Sequence, residues 1–169
     1  ETIESVITDR TRGVAVVHLG GWPADMPAIM NLAQKHDLKV IEDCAQAHGA
    51  EVGGQRIGSF GHAAAFSFCY EKIMSTGGEG GMILTNDEHI RDIAWSLRDH
   101  GRNRKQTLSD DHEFGFRWTQ DRIGTNARMT EIQAAIGRCQ LQKVDDWLSQ
   151  RTANARTLAY GFKDIDGIH

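Results

Sequence analysis

One lysine stands where chemistry could be done. The run Ala64-Ala65-Phe66-Ser67-Phe68-Cys69-Tyr70-Glu71-Lys72 reads as a short buried strand opening into a loop. Ser75-Thr76-Gly77-Gly78-Glu79-Gly80-Gly81 then leads into a second apolar stretch, Met82-Ile83-Leu84-Thr85. A lysine just past a buried strand, among glycines that let the backbone approach closely, can form a Schiff base with a carbonyl. The plainer alternative is a solvated loop lysine, the usual fate of that residue. Leu38-Lys39-Val40-Ile41-Glu42-Asp43 ends on two carboxylates, and such a group at the end of a buried strand is costly unless it meets a cation. Gln46 and His48 follow in the next loop. A lysine, an aspartate and a hydroxyl at strand ends suit pyridoxal phosphate. The lysine takes its aldehyde, Asp43 keeps the ring nitrogen protonated, and Ser67 with backbone N–H groups holds the phosphate.

The elements that position these groups follow from hydrophobic patterning. Residues 1–7 have helical spacing at Ile3, Val6 and Ile7, the tail of a helix already under way. Gly13 to Leu19 is a continuous apolar run, the pattern of a strand buried on both faces. Gly20-Gly21-Trp22-Pro23 breaks it, and 24–36 reads as an amphipathic helix before the strand that ends at Asp43. Strand, helix, strand over about thirty residues is a βαβ unit, so these strands are parallel. Residues 50–57 read as a hairpin turning on Gly53-Gly54. The gap between the lysine strand and Gly81–Thr85 is too short for a crossover helix, which makes the fourth strand antiparallel. A helix begins with Asn86 as N-cap and ends at Gly101; 102–126 is polar and aperiodic, a functional or mobile loop. Thr130-Glu131-Ile132-Gln133 is a capping box, and the helix behind it carries Ile132, Ala135, Ile136, Cys139, Val144 and Leu148, either continuing or kinking near Gln150 and running on to about Tyr160.

Composition sets the bounds. The 169 residues carry a net charge of −4, which does not favour a general polyanion-binding surface, so no nucleic-acid partner is expected. No apolar run is long enough to cross a bilayer. The three cysteines, Cys44, Cys69 and Cys139, are widely spaced and odd in number, which points to a reducing, cytoplasmic setting. No C-x-x-C or His/Cys cluster marks a metal site. No G-x-G-x-x-G follows the first strand, which argues against an ordinary nucleotide-binding domain.

Several stretches together resemble the DegT/DnrJ/EryC1/StrS family of sugar aminotransferases. They are Val40 to Ala50, Gly58-Ser59-Phe60-Gly61, Ala64 to Lys72, Gly78-Glu79-Gly80-Gly81-Met82, Gly124-Thr125-Asn126-Ala127-Arg128-Met129 and Thr130 to Ala135, with Pro23-Ala24-Asp25-Met26. The resemblance runs through nearly the whole chain, in order and spacing. It implies an α/β fold with a three-layer, mostly parallel sheet, that of the large domain of aspartate-aminotransferase-like pyridoxal phosphate enzymes. Lys72 would hold the cofactor and shuttle the proton, Asp43 would pair with the ring nitrogen, Gln46 would meet the ring hydroxyl and Ser67 the phosphate. Asn126 would reach the phosphate in a partner subunit's site, making the active form a homodimer; Arg128 and His48 are further candidates. The implied reaction transfers an amino group, usually from glutamate, to a nucleotide-linked keto sugar for surface polysaccharide or secondary metabolites.

The bland alternatives stay open residue by residue. Asp43 could cap a turn, Ser67 could be a buried hydroxyl bonded to backbone, Asn126 could cap the helix that follows, and His48 could be structural. Trp22, Trp95, Trp118 and Trp147 read as core or interface rings. Arg102, Arg104, Lys105 and Arg117 read as a solvated loop or as one closing over an anionic nucleotide. A sister branch of the family dehydrates sugars and has histidine in place of the lysine, so Lys72 favours transamination over elimination. The chain departs from the common pattern at Ile73, where many members have Asn, and in a lysine loop one residue longer. The family's N-terminal Gly-Thr phosphate loop, its stacking aromatic and its C-terminal small domain have no counterpart here. The expectation is therefore that 1–169 is the central part of the large domain, a catalytically incomplete piece if it stands alone. A nonenzymatic use of the scaffold is the remaining rival.

Overall fold

The computed structural model describes residues 2–109 and 119–167. Strand β1 (Gly13–Val17) leads through α1 (Met26–Lys35) to β2 (Lys39–Asp43). A small hairpin of β3 (Glu51–Val52) and β4 (Gln55–Arg56) precedes β5 (Ala63–Ser67) and β6 (Gly81–Leu84). Helices α2 (Glu88–Arg98), α3 (Arg104–Leu108), α4 (Glu131–Leu141) and α5 (Val144–Phe162) complete the chain. The main sheet has the order β1-β2-β5-β6. The first three strands run parallel and β6 runs back against β5, as the short connection requires. One row of the register crosses the sheet through Val17, Asp43, Ala65 and Ile83.

The pleat sorts these strands into two sides. On one side Val16, Val40 and Ala64 bury against Met26 and Ala33 of α1, with Leu38, Cys44, Ala47 and Ile57 closing the cluster. On the other, Val17 is 53%, Ile41 51% and Ile83 57% exposed. The continuous apolar runs predict burial on both faces; among the described residues nothing covers this second one. A smaller cluster of Phe68, Met74 and Val144, with Trp147 and Leu148, roots α5 against the stretch that follows β5.

Helix starts follow from side-chain caps. Asp25 Oδ1 accepts the Ala28 N–H of α1 at 3.1 Å, and Pro27 fits the first turn. The cap of α2 is Asp87 and not Asn86: its Oδ1 takes the N–H groups of His89 (2.8 Å) and Ile90 (3.1 Å). The Thr130–Gln133 capping box opens α4 as expected. Other expectations are corrected. The N-terminal helix is one 3-10 turn, Glu4–Val6. The aperiodic segment contains α3, capped by Asn103, and its Arg102 and Arg104 pair with Asp99 (3.6 Å) and Asp92 (3.4 Å) instead of waving in solvent. The long helix breaks at Gln142–Lys143, not near Gln150, and Ile132 is 75% exposed. Trp22 is exposed, whereas Trp147 packs in the second cluster; Trp118 and Arg117 lie outside the described residues. Among the described residues no helix is long and apolar enough to cross a membrane.

Candidate active site

Parallel strands deliver their carboxyl ends to one edge of the sheet, where open α/β sheets bind ligands. Asp43 is the last residue of β2 and Ser67 the last of β5, its neighbour. Asp43 is exposed, and its Oδ1 accepts the Ala45 N–H at 3.0 Å, an aspartate turn that starts the next loop. Gln46, also exposed, accepts the Gly20 N–H through Oε1 at 2.6 Å, tying that loop to the 3-10 turn after β1. Ser67 is half-buried and its Oγ accepts the Cys69 N–H at 3.4 Å. Lys72 is half-buried on the turn just beyond, its backbone N–H bonded to the Cys69 carbonyl at 3.1 Å. The neck of this loop is closed by Phe68 N–H to the Gly80 carbonyl (2.7 Å) and Thr76 N–H to the Phe68 carbonyl (3.1 Å).

His48 links the two strand ends. Its ring stands edge-on to Phe66, centroids 5.4 Å apart, and tilted to Phe68 at 6.0 Å. Burial lowers its pKa below the ordinary imidazole value; a hydrogen bond to the Ser67 backbone opposes the shift, and the positive charge of Lys72 adds to it. The loop after Asp43 and the lysine turn therefore lie at neighbouring strand ends, with His48 between them. A carboxylate, a hydroxyl and a primary amine carried by neighbouring strand ends are the donor types that suit a ligand bearing a basic ring nitrogen, an anion and a carbonyl.

Asn126 and Arg128 are placed elsewhere. Asn126 forms an isolated antiparallel bridge with Asp99 at the end of α2. The Arg128 Nε donates to Asn126 Oδ1 (3.3 Å), and the same guanidinium forms an ion pair with the buried Asp99 (3.2 Å). Among the described residues no hydrogen bond joins Asn126 to Asp43, Ser67 or Lys72.

One functional feature escaped the sequence reading. Glu42 is fully buried on the core side of the pleat, next to Asp43. Its Oε1 accepts the N–H groups of Phe60 (2.9 Å) and Gly61 (2.6 Å), and its Oε2 those of Gly58 (2.8 Å) and His18 Nε2 (3.3 Å). The His18 Nδ1 accepts the Ala24 N–H at 3.2 Å, which assigns the proton to Nε2. Four donors on two oxygens suit an acceptor-only carboxylate. The network fastens the ends of β1 and β2 and the 58–61 loop around Asp43. The available signal was a glutamate inside an apolar strand, since a buried charge must find partners. His18, Glu42 and Cys44 bring metal-ligand atom types within 4.8 Å of one another. Glu42 is already occupied by its four donors. The Cys44 thiol is pushed up to about 12 by burial, with Glu42 and Asp43 adding to it, so it stays protonated. The cluster is therefore a structural brace and not a metal site.

Parallel strands that deliver their carboxyl ends to one edge of a sheet define the class of α/β domains that bind ligands there. Comparison with known proteins makes the assignment particular. The chain belongs to the DegT/DnrJ/EryC1/StrS aminotransferase family, whose model matches residues 1–169. It is 39% identical over 166 residues to dTDP-3-amino-3,4,6-trideoxy-alpha-D-glucose transaminase of Streptomyces venezuelae, covering 98% of this chain and 41% of the relative. An aminotransferase from Psychrobacter cryohalolentis superposes with a TM-score of 0.91 at 52% identity, over 96% of this chain and 41% of that one. A GDP-4-keto-6-deoxy-D-mannose-3-dehydratase from E. coli, solved with bound hydrated PLP, superposes with a TM-score of 0.82 at 31% identity, over 97% of this chain and 44% of that one. The chain thus spans well under half the length of these relatives.

Proposed function

We propose that this chain is the central part of the large domain of a pyridoxal-phosphate-dependent aminotransferase, acting on a nucleotide-linked keto sugar with glutamate as amino donor. The observation that carries the proposal is the placement of Lys72 on the turn after β5, beside the strand end that presents Asp43. Family membership supports it, as do relatives named as nucleotide-sugar transaminases. Bound there, pyridoxal phosphate supplies an aldehyde for the lysine and a ring that withdraws electrons from the substrate carbon. The Asp43 carboxylate holds a proton at the ring nitrogen. Gln46, whose Oε1 is taken by Gly20, would have its Nε2 donor left for the ring hydroxyl. The Ser67 hydroxyl donates to the phosphate. Lys72 Nζ would be the base that takes and holds the proton of the donor Cα. Asn126, held away from this group, serves the site of a second subunit in a homodimer. The free thiols Cys44, Cys69 and Cys139 agree with a cytoplasmic enzyme.

A dehydratase or eliminase is the second reading, favoured by the likeness to the E. coli dehydratase. The decisive test uses the full natural-length protein with glutamate and a nucleotide-linked keto sugar, products followed by mass. Lys72→Ala should lower amino-sugar formation by at least about 10⁴-fold, as loss of a covalent catalyst does. Undiminished turnover in that variant rules the role out. Release of water with no amino transfer in the unmutated protein favours the dehydratase.

A further inference from the structure

The loop that carries Lys72 does not stand free, because one face of α4 is fitted to it. Gln133, Ile136, Gly137 and Gln140 recur at helical spacing and so share a side. Gln140 Oε1 accepts the Ser75 N–H at 2.7 Å. Gln133 Nε2 donates to the Glu79 carbonyl at 2.8 Å. Between them Gly137 is buried, and a methyl there would come within 2.9 Å of Thr76 Cγ2. Thr76 itself is 1% exposed. The helix therefore grips the loop at two backbone points, three and seven residues beyond Lys72, with a glycine between them to let it seat.

Gln133 works at both of its ends. Its Oε1 accepts from the backbone N–H and the hydroxyl of Thr130, each at 3.0 Å, while its Nε2 serves the loop. A primary amide can accept at its oxygen and donate from its nitrogen, which a carboxylate cannot. We infer that Gln133 and Gln140 are positioning residues for Lys72, holding its loop against α4 so that the amine is presented in one place; this rests on the proposed role of Lys72.

Two substitutions separate the grip from the stability of the helix. Gln133→Glu keeps the capping box, for which glutamate is an ordinary member, and removes the donor to Glu79. Gln140→Met keeps the length and removes the acceptor for Ser75, whereas Gln140→Glu restores an acceptor. The full natural-length protein is read first by hydrogen exchange of residues 69–80 without cofactor, then by the rate at which added pyridoxal phosphate becomes borohydride-fixed to Lys72. Gln133→Glu and Gln140→Met should speed exchange at 75–80 by roughly fivefold, the effect of one lost hydrogen bond. They should leave α4 exchange unchanged and slow attachment several-fold, and Gln140→Glu should return both to the original values. Exchange and attachment unaltered in the first two variants, beside an unmutated protein that does attach, overturns the inference alone. An unmutated protein that attaches nothing at Lys72 overturns the functional reading and the inference with it.

Discussion

Replacing Glu42 with glutamine changes one atom and should cost the fold several kcal/mol. Each carboxylate oxygen receives two donors: Phe60 and Gly61 on Oε1, Gly58 and His18 on Oε2. An amide can satisfy only one of these pairs; its NH2 then faces two N–H groups with nothing to offer. His18 cannot relieve the clash by moving its proton, because Nδ1 would then point a hydrogen at the Ala24 N–H. Two buried donors left unpaired cost about 1–3 kcal/mol each, so the whole change is about 4 kcal/mol. Shape is conserved, and no cavity contributes. With a urea dependence of about 2 kcal/mol per molar for a domain of this size, the unfolding midpoint should fall by about 2 M. The assay is urea denaturation of wild type and Glu42→Gln followed by far-UV circular dichroism. A shift below about 0.5 M would refute the reasoning, because it would mean the four bonds do not hold the network together.

Two further outcomes are expected. Glu4 is held down at about 2, against an ordinary 4.5, first by the hydrogen bond from Lys35 (2.5 Å) and then by that from His36 (2.9 Å). Its contribution is fully present above 4.5 and is lost as pH falls toward 2, so wild type and Glu4→Gln should differ in stability above the window and converge through it. Denaturation at a series of pH values checks this, and a gap that stays constant across the window counts against it. The Cys44 thiol, pushed up to about 12 and buried, should resist a disulfide reagent near neutral pH until the protein unfolds, while exposed Cys139 reacts at once. Rapid labelling of Cys44 in the native protein would contradict the burial.

Much of the fold was legible because short-range chemistry decides it. Thr130 and Gln133 announce a capping box by type and spacing, and the structure builds it. Gly53 and Gly54 both adopt positive φ, 58° and 81°, as the hairpin between β3 and β4 needs. The antiparallel β6 followed from a gap too short for a helix. What escaped depends on neighbours distant in sequence. Asn86 and Asp87 both suit an N-cap, and nothing local chooses between them. The apolar runs of β1 and β2 say that both sides of the sheet are apolar, not that this chain covers both. Glu42 stood beside Asp43 as one of two carboxylates at the strand end, whereas pleating turns it inward to donors 16 to 19 residues away. The positions of Asp43 and Ser67 at strand ends were legible; the second engagement of Gln133 was not, because its partner Glu79 lies 54 residues earlier.

The closed neck at Phe68 and Gly80 separates the length of the lysine loop from the alignment of the sheet. An insertion among exposed Tyr70 and Glu71 leaves the β5–β6 ladder in register and lengthens only a loop whose ends are already pinned. By loop-closure entropy one extra residue there costs about 0.1 kcal/mol. A change in the length of this loop can therefore shift the place of Lys72 in single-residue increments without redesigning the strands beneath.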